Sequence, residues 1–212
     1  MGEKPFTENA FQEITGVSRE TLDRLRAYAD LLRHWQKRIN LIGPATVPDL
    51  WRRHFLDSAQ LFPLLPTTAT SVVDLGSGAG FPGLVLAAMG APNVHLIDSD
   101  QRKGVFLREA ARIMEVRVSI HTRRLENYPE SFPHEISADV ITARALAPLE
   151  KLLPLAIPML SGTGTCLFLK GKRSAEELTA CGKNWTMTST ILPSQTDPDG
   201  VILRLEGIGK RS

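Results

Sequence analysis

Apolar residues recur at three- and four-residue steps between positions 18 and 41, at Leu22, Leu25, Ala29, Leu32, Trp35 and Ile39. This spacing predicts an amphipathic helix with Ser18 as its N-cap. Its apolar stripe must be covered by another element. Gly43 and Pro44 end the pattern, and a second helical run begins near Pro48, with Leu50, Trp51, Phe55, Leu56, Ala59 and Leu61 apolar. Pro63, Pro66 and the small polar residues up to Ser71 read as a linker, which divides the chain into a helical extension at 1–67 and a second unit at 68–212.

Beyond the linker the period changes. Aliphatic and β-branched runs at 71–75, 94–98, 116–121, 138–142 and 165–169 alternate with helical patterns at 82–90 and 101–114. Weaker strand runs at 185–192 and 201–206 close the chain. The alternation predicts an α/β, Rossmann-like fold: a mostly parallel, doubly wound sheet that takes its ligand at the carboxyl edge.

The first strand leads into Asp74-Leu75-Gly76-Ser77-Gly78-Ala79-Gly80-Phe81-Pro82-Gly83. Glycines suit such a strand-to-helix turn because it needs positive φ and because a missing Cβ lets backbone N–H groups approach a ligand. Two nucleotide readings overlap here. Residues 78–83 satisfy the dinucleotide pattern G-x-G-x-x-G, whereas residues 74–80 give D-x-G-x-G-x-G. An acid at the strand end, if it faces the pocket, suits a cationic sulfonium and penalises a pyrophosphate. Asp74 therefore tips the reading toward S-adenosyl-L-methionine.

Composition narrows the setting. The chain of 212 residues is long enough to bury its own core, and its two cysteines, Cys166 and Cys181, form no metal-ligand pattern or disulfide framework. No metal is expected. Its longest apolar stretch, near 84–97, is interrupted by Pro92, Asn93 and His95, and the amino terminus lacks the apolar core of a signal peptide. A reduced, cytoplasmic protein without a membrane segment is expected. The net charge is only +2, but Arg33, Lys37, Arg38, Arg52 and Arg53 cluster early, and Arg102, Lys103, Arg108, Arg112, Arg117, Arg123 and Arg124 cluster in the middle. Such faces suit a polyanion or are simply solvated.

Two further strand ends carry candidate chemistry. Asp98 ends the second strand, where a carboxylate can accept from a ribose diol in either nucleotide reading. Arg144 follows the fourth strand, facing the same crevice, where a guanidinium needs an acid or an anionic ligand. The fourth strand lacks the D/N-P-P-Y turn of amino-group methyltransferases, and neither cysteine is placed as the nucleophile that pyrimidine C5 methylation requires. A ring nitrogen with a free lone pair, such as guanine N7, needs neither device and no general base.

The set N-L-I-G (40–43), H-F-L-D-S (54–58), V-D-L-G-S-G-A-G-F-P-G (73–83), I-D-S-D-Q-R-K (97–103), F-L-R-E (106–109), R-L-E (124–126), A-R-A-L-A (143–147) and L-K-G (169–171) resembles the bacterial RsmG family, also called glucose-inhibited division protein B. The resemblance implies a class I methyltransferase that moves a methyl group from S-adenosyl-L-methionine to N7 of one guanine in 16S ribosomal RNA, leaving S-adenosyl-L-homocysteine. By position, Gly76, Phe81, Leu125, Glu126 and Arg144 would line the cofactor together with Asp74, Gly78 and Gly80, and Asp98 would hold its ribose. His54, Lys103, Arg124 and Lys170 would lie near the RNA, with Arg102 on the same basic edge; a packing role for His54 is equally open. The implied partner is 16S rRNA or the small-subunit particle, met by a monomer. In the final hairpin the chain departs from the family, offering Arg204 inside a strand where relatives carry an arginine in the preceding turn.

Two rivals remain at this level. An NAD-dependent oxidoreductase is favoured by G-x-G-x-x-G but lacks a Tyr-x-x-x-Lys pair, since Leu32 follows Tyr28 and Phe132 follows Tyr128 at that spacing. A non-catalytic RNA-binding module on the same fold sits poorly with intact Asp74, Gly76, Gly78 and Asp98.

Overall fold

In the computed structural model, which describes residues 6–132 and 135–211, seven strands form one sheet in the order β3-β2-β1-β4-β5-β7-β6. The strands are β1 Val72–Leu75, β2 Val94–Ile97, β3 Val118–His121, β4 Ala138–Arg144, β5 Leu160–Lys170, β6 Trp185–Pro193 and β7 Val201–Lys210. β1 to β5 pair in parallel, and β7 runs antiparallel between β5 and β6. The expected mostly parallel sheet is present, with its last two strands as an antiparallel hairpin. Strand order reverses at β1, which lies between β2 and β4, so the crevice over its carboxyl end is the switch point where such sheets take ligands.

Alternation along the strands divides the apolar side chains between two layers. Val72, Leu96, Val140 and Leu167 face α1 Glu8–Thr15, α2 Arg19–Gln36, α3 Asp57–Ala59, α4 Gly83–Ala88 and α5 Gln101–Ile113. Val73, Ile97, Ile141 and Phe168 face α6 Leu149–Ala156 and α7 Ser174–Cys181. The stripe on α2 is covered within the first layer: Tyr28 lies 5.3 Å from both Phe55 and Phe81 and 6.2 Å from Phe106, ring centre to ring centre. Residues 6–65 and helices α4 and α5 therefore contribute to one hydrophobic cluster.

Ser18 caps α2 as expected, its Oγ accepting from the Thr21 amide at 3.1 Å. The helix stops at Gln36, short of the expected 41, because the Gln36 side chain captures the chain beyond it. Gln36 Oε1 accepts from the amides of Leu41 (2.9 Å) and Ile42 (3.0 Å), and Nε2 donates to the Ile42 carbonyl at 2.8 Å. The second helical pattern is a succession of turns rather than one helix: a 3₁₀ turn at Pro44–Asp49, a π-helical stretch at Trp51–Leu56, then α3. Periodicity does not predict α1, α6 and α7. They are helices of eight residues each, too short to show a long stripe. The reading of the extreme amino terminus, residues 1–5, lies outside the described residues.

Candidate active site

The three glycines after β1 take left-handed backbone angles, φ +64° at Gly76, +58° at Gly78 and +95° at Gly80. A Cβ at Gly80 would fall 2.4 Å from Leu84 Cδ1 and 2.9 Å from the Tyr28 hydroxyl. That hydroxyl donates to the Ala79 carbonyl, so a side chain from α2 holds the tip of the turn. Burial pushes the Tyr28 pKa well up, which keeps the phenol protonated as a donor.

Asp74 departs from its expected place. Its side chain is fully buried, with Oδ2 accepting from the Gly83 amide at 3.1 Å and Oδ1 from the Thr142 hydroxyl at 2.9 Å. The expected carboxylate facing the ligand is instead a brace between β1, β4 and the start of α4, because all four residues of β1 are enclosed on both faces of the sheet. Burial raises its pKa to about 6 despite those hydrogen bonds and the nearby Arg144 charge. A choice of sulfonium over pyrophosphate therefore cannot rest on Asp74. Asp98 does sit at the mouth of the turn, half-buried, with Oδ2 accepting from Gly78 N–H and Oδ1 from Asp100 N–H, both at 2.8 Å.

Arg144, the last residue of β4, is held by the segment 53–57 of the extension. Nη1 donates to the Arg53 carbonyl (3.0 Å) and to Asp57 Oδ2 (3.2 Å), while Nη2 lies 2.8 Å from His54 Nδ1. The guanidinium also stacks over the Phe81 ring, 5.1 Å from its centre. A guanidinium can only donate, so Nδ1 of His54 accepts and Nε2 carries the proton. That N–H then donates to Thr46 Oγ1 at 2.7 Å, and the Thr46 hydroxyl donates to the Gly43 carbonyl at 2.7 Å. Burial first, then the Arg144 and Arg53 charges, press the His54 pKa down to about 3, so the ring is neutral.

A cavity of about 560 Å³ opens beside this cluster, over the carboxyl ends of β4 and β5. Its walls include Arg53, His54, Asp57, Arg144, Lys170 and Asp197. Leu146 both lines it and touches the glycine turn, since a Cβ on Gly76 would lie 2.5 Å from Leu146 Cδ1. The structure thus brings together His54, Arg144 and Lys170 and places Gly76 next to them. Lys170, expected near the RNA or the target base, lines the cavity but is not a solvated lysine. It is 9% exposed and donates to Glu177 Oε2 (2.8 Å) and the Ala147 carbonyl (2.7 Å), tying β5 to α7 and the loop after β4. Phe81, expected along the cofactor, is 3% exposed inside the aromatic cluster and meets the site through Arg144.

Arg102, Lys103, Arg124, Leu125 and Glu126 lie apart from this cavity, beyond β2 and β3 on the other flank of the switch point. Arg102, Arg124 and Glu126 are exposed, and Leu125 packs on the second cluster. Residues that sequence reasoning passes over include Tyr28, Thr142, Asp57 and the hairpin loop carrying Thr196 and Asp197. For Asp57 a signal exists: it stands three positions after His54 in a helical pattern, hence on the same face. For Tyr28 and Thr196 there is none.

The family model described as rRNA small subunit methyltransferase G matches residues 21–197. The chain belongs to this family. A member from Paramagnetospirillum magneticum is 58% identical over 92% of this chain and 93% of its own length. One from Rhodospirillum centenum is 54% identical over 97% and 93%. The resemblance carried by the motifs is thereby borne out, and neither the oxidoreductase nor the non-catalytic reading finds support. Two solved structures share the fold: a putative O-methyltransferase from Klebsiella pneumoniae (15% identical, 95% of this chain and 96% of that one, TM-score 0.63) and a methyltransferase from Geobacter sulfurreducens (16%, 94% and 98%, TM-score 0.63). They establish a Rossmann-like methyltransferase fold for this member of the family. Among the described residues no helix is long and apolar enough to cross a membrane, and no three potential ligands gather into a metal site.

Proposed function

We propose that the protein transfers a methyl group from S-adenosyl-L-methionine to N7 of one guanine in 16S ribosomal RNA, acting in the cytoplasm as a monomer on the RNA or the small-subunit particle. The carrying observation is that the histidine and the acids lining the cavity each already face a cation of the chain itself. His54 Nδ1 receives Arg144, and Asp57 receives Arg144, Thr196 and Gln60. Glu177 receives Lys170 and the Leu149 amide, and Asp197 receives Arg53 and the Asp199 amide. Burial pushes the Cys166 thiol up to about 12, far from a thiolate nucleophile. A substrate that must first lose a proton finds here only groups already paired with a cation, whereas a ring nitrogen with its own lone pair needs no base.

The residues fit the methyl donor. Each oxygen of Asp98 takes one backbone N–H and keeps acceptor capacity for a ribose hydroxyl. Gly76 and Gly80 give the turn its left-handed angles, and at Gly78, where a Cβ would meet only the Gly76 carbonyl at 3.8 Å, the backbone stays open to a ligand. When bound, the donor supplies an electrophilic methyl on a sulfonium and departs as S-adenosyl-L-homocysteine. The chain's task is then placement. With N7 pointed at the methyl, the base must be read through O6 and its Watson–Crick edge, each good base-edge pair being worth about 1–3 kcal/mol. Arg102, Lys103 and Arg124 would hold phosphate along the outer flank.

The test is to map modified nucleotides by mass spectrometry in 16S rRNA from cells with and without the gene, and to restore the mark with purified protein, donor and small subunits. Loss and recovery of one N7-methylguanine is expected. Equal labelling of free GTP, or a mark on another atom, would refute the assignment.

A further inference from the structure

We infer that Asp57 is a positioning residue for methyl transfer, fixing Arg144 and the β6–β7 loop so that the cavity keeps one shape beside the glycine turn. The inference rests on the methyltransferase reading above. Asp57 touches neither the glycine turn nor Asp98; it acts through the groups it holds.

Its two oxygens divide the work. Oδ2 pairs with Arg144 Nη1 at 3.2 Å, and both side chains are largely buried, 16% and 17% exposed. Oδ1 accepts from the Thr196 hydroxyl at 2.6 Å and from Gln60 Nε2 at 3.0 Å. Gln60 Oε1 in turn accepts from the Gln195 amide at 2.9 Å, so the loop between β6 and β7 is moored at two points. Among the described residues Asp57 is the one acid paired with Arg144, whose other partners are a carbonyl, the neutral His54 and the Phe81 face. An enclosed guanidinium without its counter-charge would turn toward water.

That turn would not stay local. Arg144 is followed by Ala145, a non-glycine residue at φ +52°, and then by Leu146, which covers Gly76. A left-handed alanine persists only where its surroundings hold it. The run from Asp57 through Arg144, Ala145 and Leu146 to Gly76 is therefore continuous. It couples the cavity that would receive the base to the turn that would receive the donor. Methyl transfer depends on in-line placement, and a displacement of about 1 Å can cost on the order of a hundredfold.

The test is single-turnover methylation of small subunits by wild type, Asp57→Asn, Asp57→Glu, Arg144→Gln and the double variant Asp57→Asn/Arg144→Gln, with donor affinity by calorimetry. Asp57→Asn keeps an acceptor for Thr196 but removes the charge facing Arg144. A fall in rate of at least about tenfold is expected, with donor affinity within about threefold of wild type. Asp57→Glu should recover part of the rate. The double variant should be no slower than Arg144→Gln alone, because the two residues act as one unit. A rate for Asp57→Asn within twofold of wild type overturns the inference, as does a double variant whose losses multiply. Should Asp57→Asn fail to fold, Asp57→Glu decides, since it keeps the charge but moves it by one methylene: a rate within twofold of wild type overturns the inference, and a clear loss at unchanged donor affinity supports it. Inactivity of the wild type itself on small subunits and 16S rRNA would instead sink the methyltransferase reading, and this inference with it.

Discussion

Replacing Asp74 by asparagine exposes a cost built into the centre of the sheet. The Asp74 carboxyl is pushed from an ordinary 3.8 to about 6, chiefly by burial, which the Thr142 and Gly83 hydrogen bonds offset only in part. A shift of about two pK units corresponds to about 3 kcal/mol of differential stability. The sign follows from proton binding: the folded chain holds this proton more tightly than the unfolded one. Its contribution is complete below about pH 4 and drains away as pH rises through about 6. Between pH 5 and pH 8 the wild type should lose about 1.5 kcal/mol at this site, roughly half the total. The Asp74→Asn variant has no charge to gain or lose there. Its amide oxygen can accept from the Gly83 N–H, and its NH₂ can donate to Thr142 Oγ1 once that hydroxyl rotates. The assay is urea unfolding of both proteins at pH 5 and pH 8, taking the difference so that other titrating groups cancel. Asp74→Asn should gain about 1.5 kcal/mol on the wild type over that interval. A constant difference, or one that moves the other way, would show that the carboxylate is solvated in the folded chain and that the brace is misread.

Three other expectations follow from the site. Lys170→Met strips Glu177 of its cation and should lower stability by about 1–3 kcal/mol in urea, with RNA affinity at fixed salt almost unchanged; weakened RNA binding at full stability would restore Lys170 as an RNA contact. Gly80→Ala places a Cβ at φ +95° and 2.4 Å from Leu84, so melting temperature and donor affinity should fall together, and a variant that melts like wild type would contradict the geometry. Lys103→Gln and Arg124→Gln should each reduce the slope of log affinity against log salt by roughly 0.7 without altering melting; an unchanged slope removes that residue from the RNA face.

Periodicity locates the strands, the long helix and the turn that the sheet organises, because apolar spacing reports which face an element buries. It does not see α1, α6 and α7, which offer two turns apiece. It misplaces the end of α2 because a side-chain amide, not a glycine or proline, closes it. At the site, sequence reaches the edge of the sheet but not the partners there. The Asp74 side chain can be assigned to a strand end, but its destination depends on register, which sets Thr142 directly opposite. Arg144 can be marked as needing an anion, and Asp57 supplies one from 87 residues earlier.

The charges around the cavity explain why cations at strand ends read, from sequence, as ligand contacts. Arg53 pairs with Asp197, Arg144 with Asp57 and Lys170 with Glu177, and each pair joins two different elements. In a partly enclosed space a lone charge is costly, so a fold that needs strong hydrogen-bond donors there must bring acids with them. The pairs cancel as charges but persist as fixed dipoles with spare N–H groups and lone pairs. Under the proposed function the cavity would read a base directionally, and attraction of the phosphate chain would fall to the exposed flank at Arg102 and Arg124. In that proposal recognition is separated from attraction across the switch point, with one side of β1 for each.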